Sequence, residues 1–405
     1  GHNAMIRVRA FAECCGLPEL PGRPPFGGTV LSHDFVEAAL LRRAGWKVRL
    51  DWDLRASYEG SPPTLLDMAV RERRWAQGNL QHLRLIGARG FTWISRTHFV
   101  IGVLGFLMSP IWLGMILVGL VLTANALLSR PDYFPSTFQL FPDWPTFDAG
   151  RMKWLFAGAM GLLLLPKFVA IGRAWRRPLA RNAGGRSRVL LSALFEIVMS
   201  ALIAPVQMLI QTRQILDILR GRNSGWESQV RVGSMPTWGT VLRHHWLHVA
   251  LGVVTLIVLW FMSPGQLIWL SPILAGLILA PYTSRWSASA VFGRWARLAG
   301  LLVTPEERDP PAVMTAAVNH ARRLRPAPDA TARLGRDAEL RARHVAMLPV
   351  LPDRPVAERL PEIVAAAKID AAGSQDQAMS FLEPAEKAAL LTRPALLERW
   401  AALPR

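Results

Sequence analysis

The sequence predicts a multi-pass α-helical membrane protein with a water-soluble α/β segment ahead of the bundle and a mostly helical tail behind it. Three observations predict this. Of the 405 residues 51% are apolar and only 19% charged, a balance that excludes a disordered chain. Several long stretches carry no charge at all, and about 20 apolar residues suffice to cross a bilayer. The basic surplus, 47 Lys and Arg against 29 Asp and Glu for a net charge of +18, gathers beside those stretches. On a soluble protein that surplus would suggest nucleic acid. Its position here points to lipid headgroups and to membrane orientation, and no nucleic-acid partner is expected.

The first element, residues 1–98, holds 14 basic and 9 acidic residues and no long apolar run, so it reads as a soluble head. Its start, Gly1-His2-Asn3, has neither an initiator Met nor a basic stretch leading into an apolar one, and reads as the later part of a longer chain. Cys14 and Cys15 are adjacent, cannot staple a fold and are read as reduced and inert. Leu31-Ser32-His33-Asp34 leads into a helical stretch, Phe35 to Ala44, closed by Gly45. Asp34 as N-cap with Glu37 three residues on would make a capping-box-like pair. Lys47 to Trp52 alternates polar and apolar and predicts a half-buried strand. Pro62-Pro63 opens another helix from about Thr64, carrying Arg71-Glu72-Arg73-Arg74-Trp75-Ala76-Gln77-Gly78-Asn79. Its continuation through Leu80, Leu83, Ile86, Phe91, Trp93 and Ile94 is amphipathic and is expected on the membrane surface.

The bundle, 99–283, contains five apolar runs: 99–128 with Pro110, 154–171 with Lys167 near its end, 189–211 with Glu196 and Pro205, 246–262 and 266–283, the last two parted by Pro264-Gly265. Segment 129–153 is electrically neutral and looks external. Segments 172–188, with six arginines and no acid, and 212–245, with five arginines against Asp217 and Glu227, both look cytoplasmic. One full crossing cannot join two loops on one side. The run 189–211 is therefore expected to be a re-entrant or two-piece hairpin turning near Ala204-Pro205; a single span with weak charge bias is the alternative. With the hairpin, parity puts the head and the tail, 284–405, on the cytoplasmic side. The tail has 18 basic and 14 acidic residues, with short helical patterns at 355–367 and 383–391, and is expected to pack little.

An acidic residue at a helix start, an Arg-Trp pair about forty residues later and a membrane bundle occur in an order that resembles the processive, membrane-integrated glycosyltransferases of family 2. The stretches Gly1-His2-Asn3-Ala4, Ala10-Phe11-Ala12-Glu13, Cys15-Gly16-Leu17-Pro18, Phe26-Gly27-Gly28, Leu31 to Trp46, Arg71 to Asn79, Gly221-Arg222-Asn223-Ser224-Gly225-Trp226 and Thr304-Pro305-Glu306-Glu307 resemble one branch, the glucans biosynthesis glucosyltransferase H family. The resemblance implies that the head is the C-terminal part of a GT-A-type α/β domain and that the chain is a multi-pass protein of the bacterial inner membrane. It implies inverting transfer of glucose from UDP-glucose into a mainly β-1,2-linked glucan moved to the periplasm. Cellulose- or hyaluronan-type synthesis, and a non-catalytic transporter or scaffold, are the rival readings.

On the same resemblance Asp34 is the general base, Arg71, Arg74 and Trp75 serve the leaving diphosphate and the acceptor sugar, and Gly221 to Trp226 is a gating loop. A carboxylate near a helix N-terminus is kept ionised, as a base must be. Arg71 stands where the broad-family motif has Gln. Mg²⁺ or Mn²⁺ is implied for the whole enzyme, with no metal ligands in this chain: Asp51-Trp52-Asp53 has a suitable spacing but lies after Asp34. Without those ligands the chain by itself is expected neither to bind UDP-glucose tightly nor to turn over. His244, His245 and His248 lack a further ligand and read as an interface cluster. An acyl carrier protein and a periplasmic glucan-processing protein are the partners the resemblance suggests.

Overall fold

The structure, a computed structural model, describes residues 4–51, 53, 60–128, 138, 140–141, 149–176, 180–181, 183–222, 235–324, 330–349, 355 and 359–404. It comprises two compact units, Gly1–Pro311 and Ala312–Arg405. In the first, the head contributes α1 (Val8–Cys14), α2 (His33–Arg43) and α3 (Leu65–Gln81). The apolar helices α4 (Trp93–Leu128), α5 (Ala149–Ala174), α6 (Arg186–Leu219), α7 (Trp238–Met262) and α8 (Pro264–Ile278) follow, then the shorter α9 (Ala280–Ser287), α10 (Ala290–Ala299) and α11 (Pro305–Arg308).

The head is helical among the described residues, with one isolated antiparallel bridge, Leu20 to Gly28. The strand expected over Lys47 to Trp52 is absent from Lys47 to Asp51, and Trp52 lies outside the described residues. The reason is the missing partner: Leu50 stays exposed, and a lone extended segment has no ladder to satisfy its backbone. The surface helix expected over 80–94 is replaced by a 3₁₀ turn, His82–Arg84, and a bend through Gly90 at φ +82°. Leu85 and Phe91 instead join Val36, Leu40 and Phe99 in a buried core. Arg96 fixes the bend by donating to the carbonyls of Ile86 (2.7 Å) and Ala88 (2.9 Å).

Helices α4, α5, α6 and α7 are each long and apolar enough to cross a membrane, and α8 with α9 forms a further apolar pair bent by 58°. Pro110 sits inside α4, whose 36 residues span about 54 Å. The hairpin expected at Ala204-Pro205 does not form: α6 runs unbroken through Pro205 for 34 residues. Tertiary contact supports it there, because Pro205 and Val206 are buried and Gly276 of α8 lets the backbone of Leu202 approach where a Cβ would collide. Gly252 of α7 gives the same close approach to Leu277 and Ile278 of α8.

Contacts order the ends of these helices. Thr123 of α4 accepts from Gln266 of α8 (2.7 Å), and Phe156 of α5 meets Trp269 of α8, which defines the end of the bundle remote from the head. Helix α6 meets Ala69 and Leu65 in α3, Val103 and Ser109 in α4, Lys167 in α5, His248 in α7, Gly276 in α8, Ala280 in α9 and Phe292 in α10.

In the second unit, α12 (Ala312–Arg323), α13 (Ala330–Arg336), α14 (Ala338–Ala346), α15 (Leu360–Asp370), α16 (Gln375–Phe381), α17 (Pro384–Thr392) and α18 (Pro394–Ala401) follow in order. The expectation of limited packing is overturned here. Ile369, Leu382, Leu390, Leu397 and Trp400 form a closed core, and the Trp400 indole donates to the carbonyl of Gln375 (3.1 Å). Glu383 and Glu386 make a reciprocal capping box at the start of α17, and Glu386, its carboxyl held below the usual range by Lys368, ties α17 to α15. Replacing Trp400 by Ala is expected to remove about 3–5 kcal/mol of protection from the tail amides, read by native-state hydrogen exchange.

Candidate active site

The site is assembled where α2 begins against the second half of α3. Thr64 caps α3 by accepting from the Asp67 backbone (3.1 Å), and the helix then carries Arg71, Arg73, Arg74 and Trp75 toward the bundle. Three residues past Trp75, Gly78 lies against Ser32: a Cβ there would come within 2.8 Å of the Ser32 backbone nitrogen. The Gln81 side chain bridges the same segment, accepting from the Leu31 backbone (3.0 Å) and donating to the Thr29 carbonyl (3.0 Å). His82 completes the junction, fully buried between Phe35 and Phe99, with Nε2 facing the Ser32 carbonyl at 3.4 Å. Burial pushes its pKa down against the opposing pull of that carbonyl, so the ring is neutral.

Asp34 follows Ser32 by two residues. It is not the N-cap: Ser32 occupies that position, without a side-chain capping bond, and Asp34 stands in the first turn. The capping box fails for a local reason. Glu37 instead lies 3.1 Å from Nδ1 of His33, which also sits 3.5 Å from Asp34. The Asp34 carboxylate is half-exposed and keeps the favourable end of the helix dipole.

Arg71 lies over the indole of Trp75, its guanidinium carbon 4.4 Å from the ring centroid, and reaches Glu72 at 3.4 Å. One face of Trp75 is thereby covered, while the residue is 43% exposed. Arg71, Arg73 and Arg74 line a cavity of about 860 Å³ between α3, α4, α6 and α7. Arg222 donates to Asp217 (2.9 Å), and its carbonyl accepts from Arg73 (3.4 Å), so the segment after α6 is fastened to α3 where Gly221 turns at φ +81°. Asn223, Ser224, Gly225 and Trp226 lie outside the described residues. Cys15 is buried, its thiol pushed up to about 11 chiefly by desolvation, and has no nucleophilic character.

The sequence pattern singles out Asp34, Arg74 and Trp75 but assigns no role to Gly78, Gln81 and His82, which join the start of α2 to the end of α3. A glycine and two polar side chains on the otherwise buried end of α3 were the available signal.

Comparison with known proteins then bears on this geometry. Residues 1–166 match the model of glycosyl transferase family group 2. The whole chain is 44% identical to glucans biosynthesis glucosyltransferase H of Vibrio cholerae over 57% of that protein, and 43% identical to that of Shewanella sp. (strain W3-18-1) over 56%. The counterpart in Rhodopseudomonas palustris is 44% identical over 98% of the chain and 56% of its own length. The chain thus spans a little over half the length of these relatives, and no solved structure matches it. Along its whole length the chain is thus similar to glucans biosynthesis glucosyltransferase H.

Proposed function

We propose that the chain supplies the acceptor side and the membrane conduit of an inverting glucosyltransferase that polymerises glucose from UDP-glucose into a β-linked, mainly β-1,2 glucan. The observation that supports this is the close approach of Ser32 and Gly78, two residues before Asp34 and three after Trp75. An acceptor hydroxyl attacks the anomeric carbon, the bond to the UDP diphosphate breaks as the glycosidic bond forms, and the proton passes to Asp34. Arg74 balances the charge of the departing diphosphate. Trp75, with one face under Arg71, offers the other to the terminal sugar of the acceptor. Arg71 thus acts through Trp75 and fixes its ring plane. The segment from Gly221 to Trp226 gates donor or polymer, hinged where Arg222 meets Arg73.

Family 2 glycosyltransferases generally use a divalent metal. The three groups that converge among the described residues, His33, Asp34 and Glu37, do not fit the Mg²⁺ or Mn²⁺ expected in the complete enzyme. Mg²⁺ favours oxygen ligands, whereas His33 offers an imidazole nitrogen already paired with Glu37, and ligation would occupy the base. No step here runs through a metal.

The membrane-length helices make this a membrane protein, and we place it in the bacterial inner membrane with α4, α5, α7 and bent α8–α9 as crossings. Helix α6, which packs against α3 through Ala69 and Leu65, we place along the head-side boundary instead of across. Four crossings put segments 172–188 and 212–245, the head and the tail on one side, the cytoplasmic one by the positive-inside rule. A long boundary helix in place of the hairpin keeps the same parity. Cysteines introduced into 172–188 and 212–245 of a cysteine-free chain are expected to label from the same face, and those in 129–148 from the other. An acyl carrier protein and a periplasmic glucan-processing protein are the partners we assign to the complete enzyme.

The test is Trp75. In membranes containing the complete enzyme, Trp75→Ala is expected to lower incorporation of labelled glucose at least tenfold, about 1.4 kcal/mol, with Trp75→Phe recovering part of it. Unchanged incorporation by Trp75→Ala contradicts the reading.

A further inference from the structure

Just after the bundle, α10 carries an apolar stripe that no other described residue covers. Ser289 caps the helix by accepting from the Phe292 backbone (3.2 Å), and the inner side holds buried Ala296 and Phe292, whose ring lies 6.1 Å from Phe195 of α6. On a second side Val291, Trp295 and Leu298, one above another on the helix, stand 68%, 54% and 86% exposed. Arg294 and Arg297 flank that stripe. Only Ala288 and Ser289 separate α10 from α9, the second limb of the bent apolar pair, so α10 starts within about 11 Å of that helix.

Beside α10 the basic charge is concentrated. The start of α6 and the segment after α10 meet here: the Leu302 backbone donates to the Ser192 hydroxyl (3.0 Å), and Gly184 and Gly300, both at positive φ, leave room for two arginines. A Cβ at Gly184 would come within 2.9 Å of Nη2 of Arg308 and 3.1 Å of Cδ of Arg188, and one at Gly300 within 2.7 Å of the same Cδ. Among the described residues neither guanidinium has a carboxylate partner. Residues 172–188 and 285–309 together hold ten arginines against Glu306, Glu307 and Asp309. Of these acids, Glu307 turns its carboxylate back to accept from the Thr304 backbone (3.1 Å), and Glu306 and Asp309 are exposed. Like charges crowded on one ledge repel, and a phosphodiester relieves them by accepting from both.

We infer that α10, Arg188 and Arg308 form a binding surface for an anionic phospholipid, its acyl chains against Val291, Trp295 and Leu298 and its headgroup phosphate on the two guanidinium groups. Continuity decides for lipid over an acidic protein: the stripe follows a membrane helix after two residues, which holds it at the interface, where Trp is favoured and a basic flank meets anionic headgroups. The inference goes beyond the glucosyltransferase reading. It uses the placement of α8–α9 as a crossing and none of the chemistry at Asp34.

The experiment attaches bimane at position 298, through Leu298→Cys with Cys14→Ser and Cys15→Ala, in the 405-residue chain in nanodiscs. It measures quenching by doxyl-labelled phosphatidylglycerol and by doxyl-labelled phosphatidylcholine at equal mole fraction. Phosphatidylglycerol is expected to quench about fivefold more efficiently, the attraction of roughly one arginine for an anionic surface. Arg188→Gln with Arg308→Gln is expected to bring the two lipids level, and each substitution alone to lose part of the preference. Both positions are exposed, so the melting temperature is expected to hold. Quenching by neither lipid overturns the interfacial position of α10. Equal quenching without the arginine substitutions, or a preference that survives the glutamine pair, overturns the headgroup site. A preference abolished by inorganic phosphate at constant ionic strength gives the arginines to a free anion and overturns the lipid assignment. No turnover is read, and cysteine labelling of the loops tests the crossings separately, so failure here is distinguishable from failure of the enzymatic reading.

Discussion

Asp34→Asn is expected to lower glucose incorporation by about 10²–10⁴-fold in the complete enzyme, the range a positioned general base contributes. The substitution keeps the shape of the side chain and its place in the first turn of α2 while removing the lone pair that takes the acceptor proton. The surrounding fold gives it little reason to fail structurally. Asp34 is half-exposed, and α2 is anchored by buried Val36, Ala39 and Leu40 rather than by a carboxylate cap. Melting temperature is therefore expected to stay within the scatter of neutral surface changes, about 0.5 kcal/mol. Measuring incorporation and thermal unfolding together separates lost chemistry from lost structure.

Gly78→Val is expected to abolish incorporation as completely, by a different route. Even a single Cβ at Gly78 meets the backbone nitrogen and side chain of Ser32 at 2.8 Å, and backbone cannot swing aside as a flexible side chain can. The two branches of Val add to the collision. Relief requires α2 to withdraw from α3, which breaks the paired Gln81 bonds to Leu31 and Thr29 and opens the His82 pocket. Overpacking of this kind costs about 1–3 kcal/mol or more. The expected signature is loss of both activity and stability, with Gly78→Ala intermediate, whereas Asp34→Asn loses activity alone.

What the sequence makes legible follows from which forces are local. Apolar runs are set by composition, so the positions of α4, α5 and α7 can be read directly, and the helices around Asp34 and Trp75 follow from caps and punctuation. The behaviour of Pro205 is not local. A proline in an apolar run reads as a turn, yet packing of Val206 against Leu65 and Ala280 and the gap at Gly276 keep α6 continuous. The alternation of Lys47 to Asp51 has the period of a strand, but a strand exists only with a neighbour to bond. The tail core was invisible because its apolar residues are spread over five short helices, none with a long pattern of its own. In the site, Asp34, Arg74 and Trp75 carry a motif, whereas Gln81 and His82 act through backbone groups fifty residues away. His244, His245 and His248 read from sequence as an interface cluster, and only the fold sets Thr212 and Gln214 of α6 on the same cavity.

The sharpest single measurement places a photo-crosslinking amino acid at position 75 in glucan-synthesising membranes and asks whether light traps the nascent chain there. A glucan synthase whose growing end rests against α3 predicts capture of labelled glucan at 75, and none at the outward-facing, exposed position 163 on α5. Labelled glucan absent from 75, or equally abundant at 163, contradicts it.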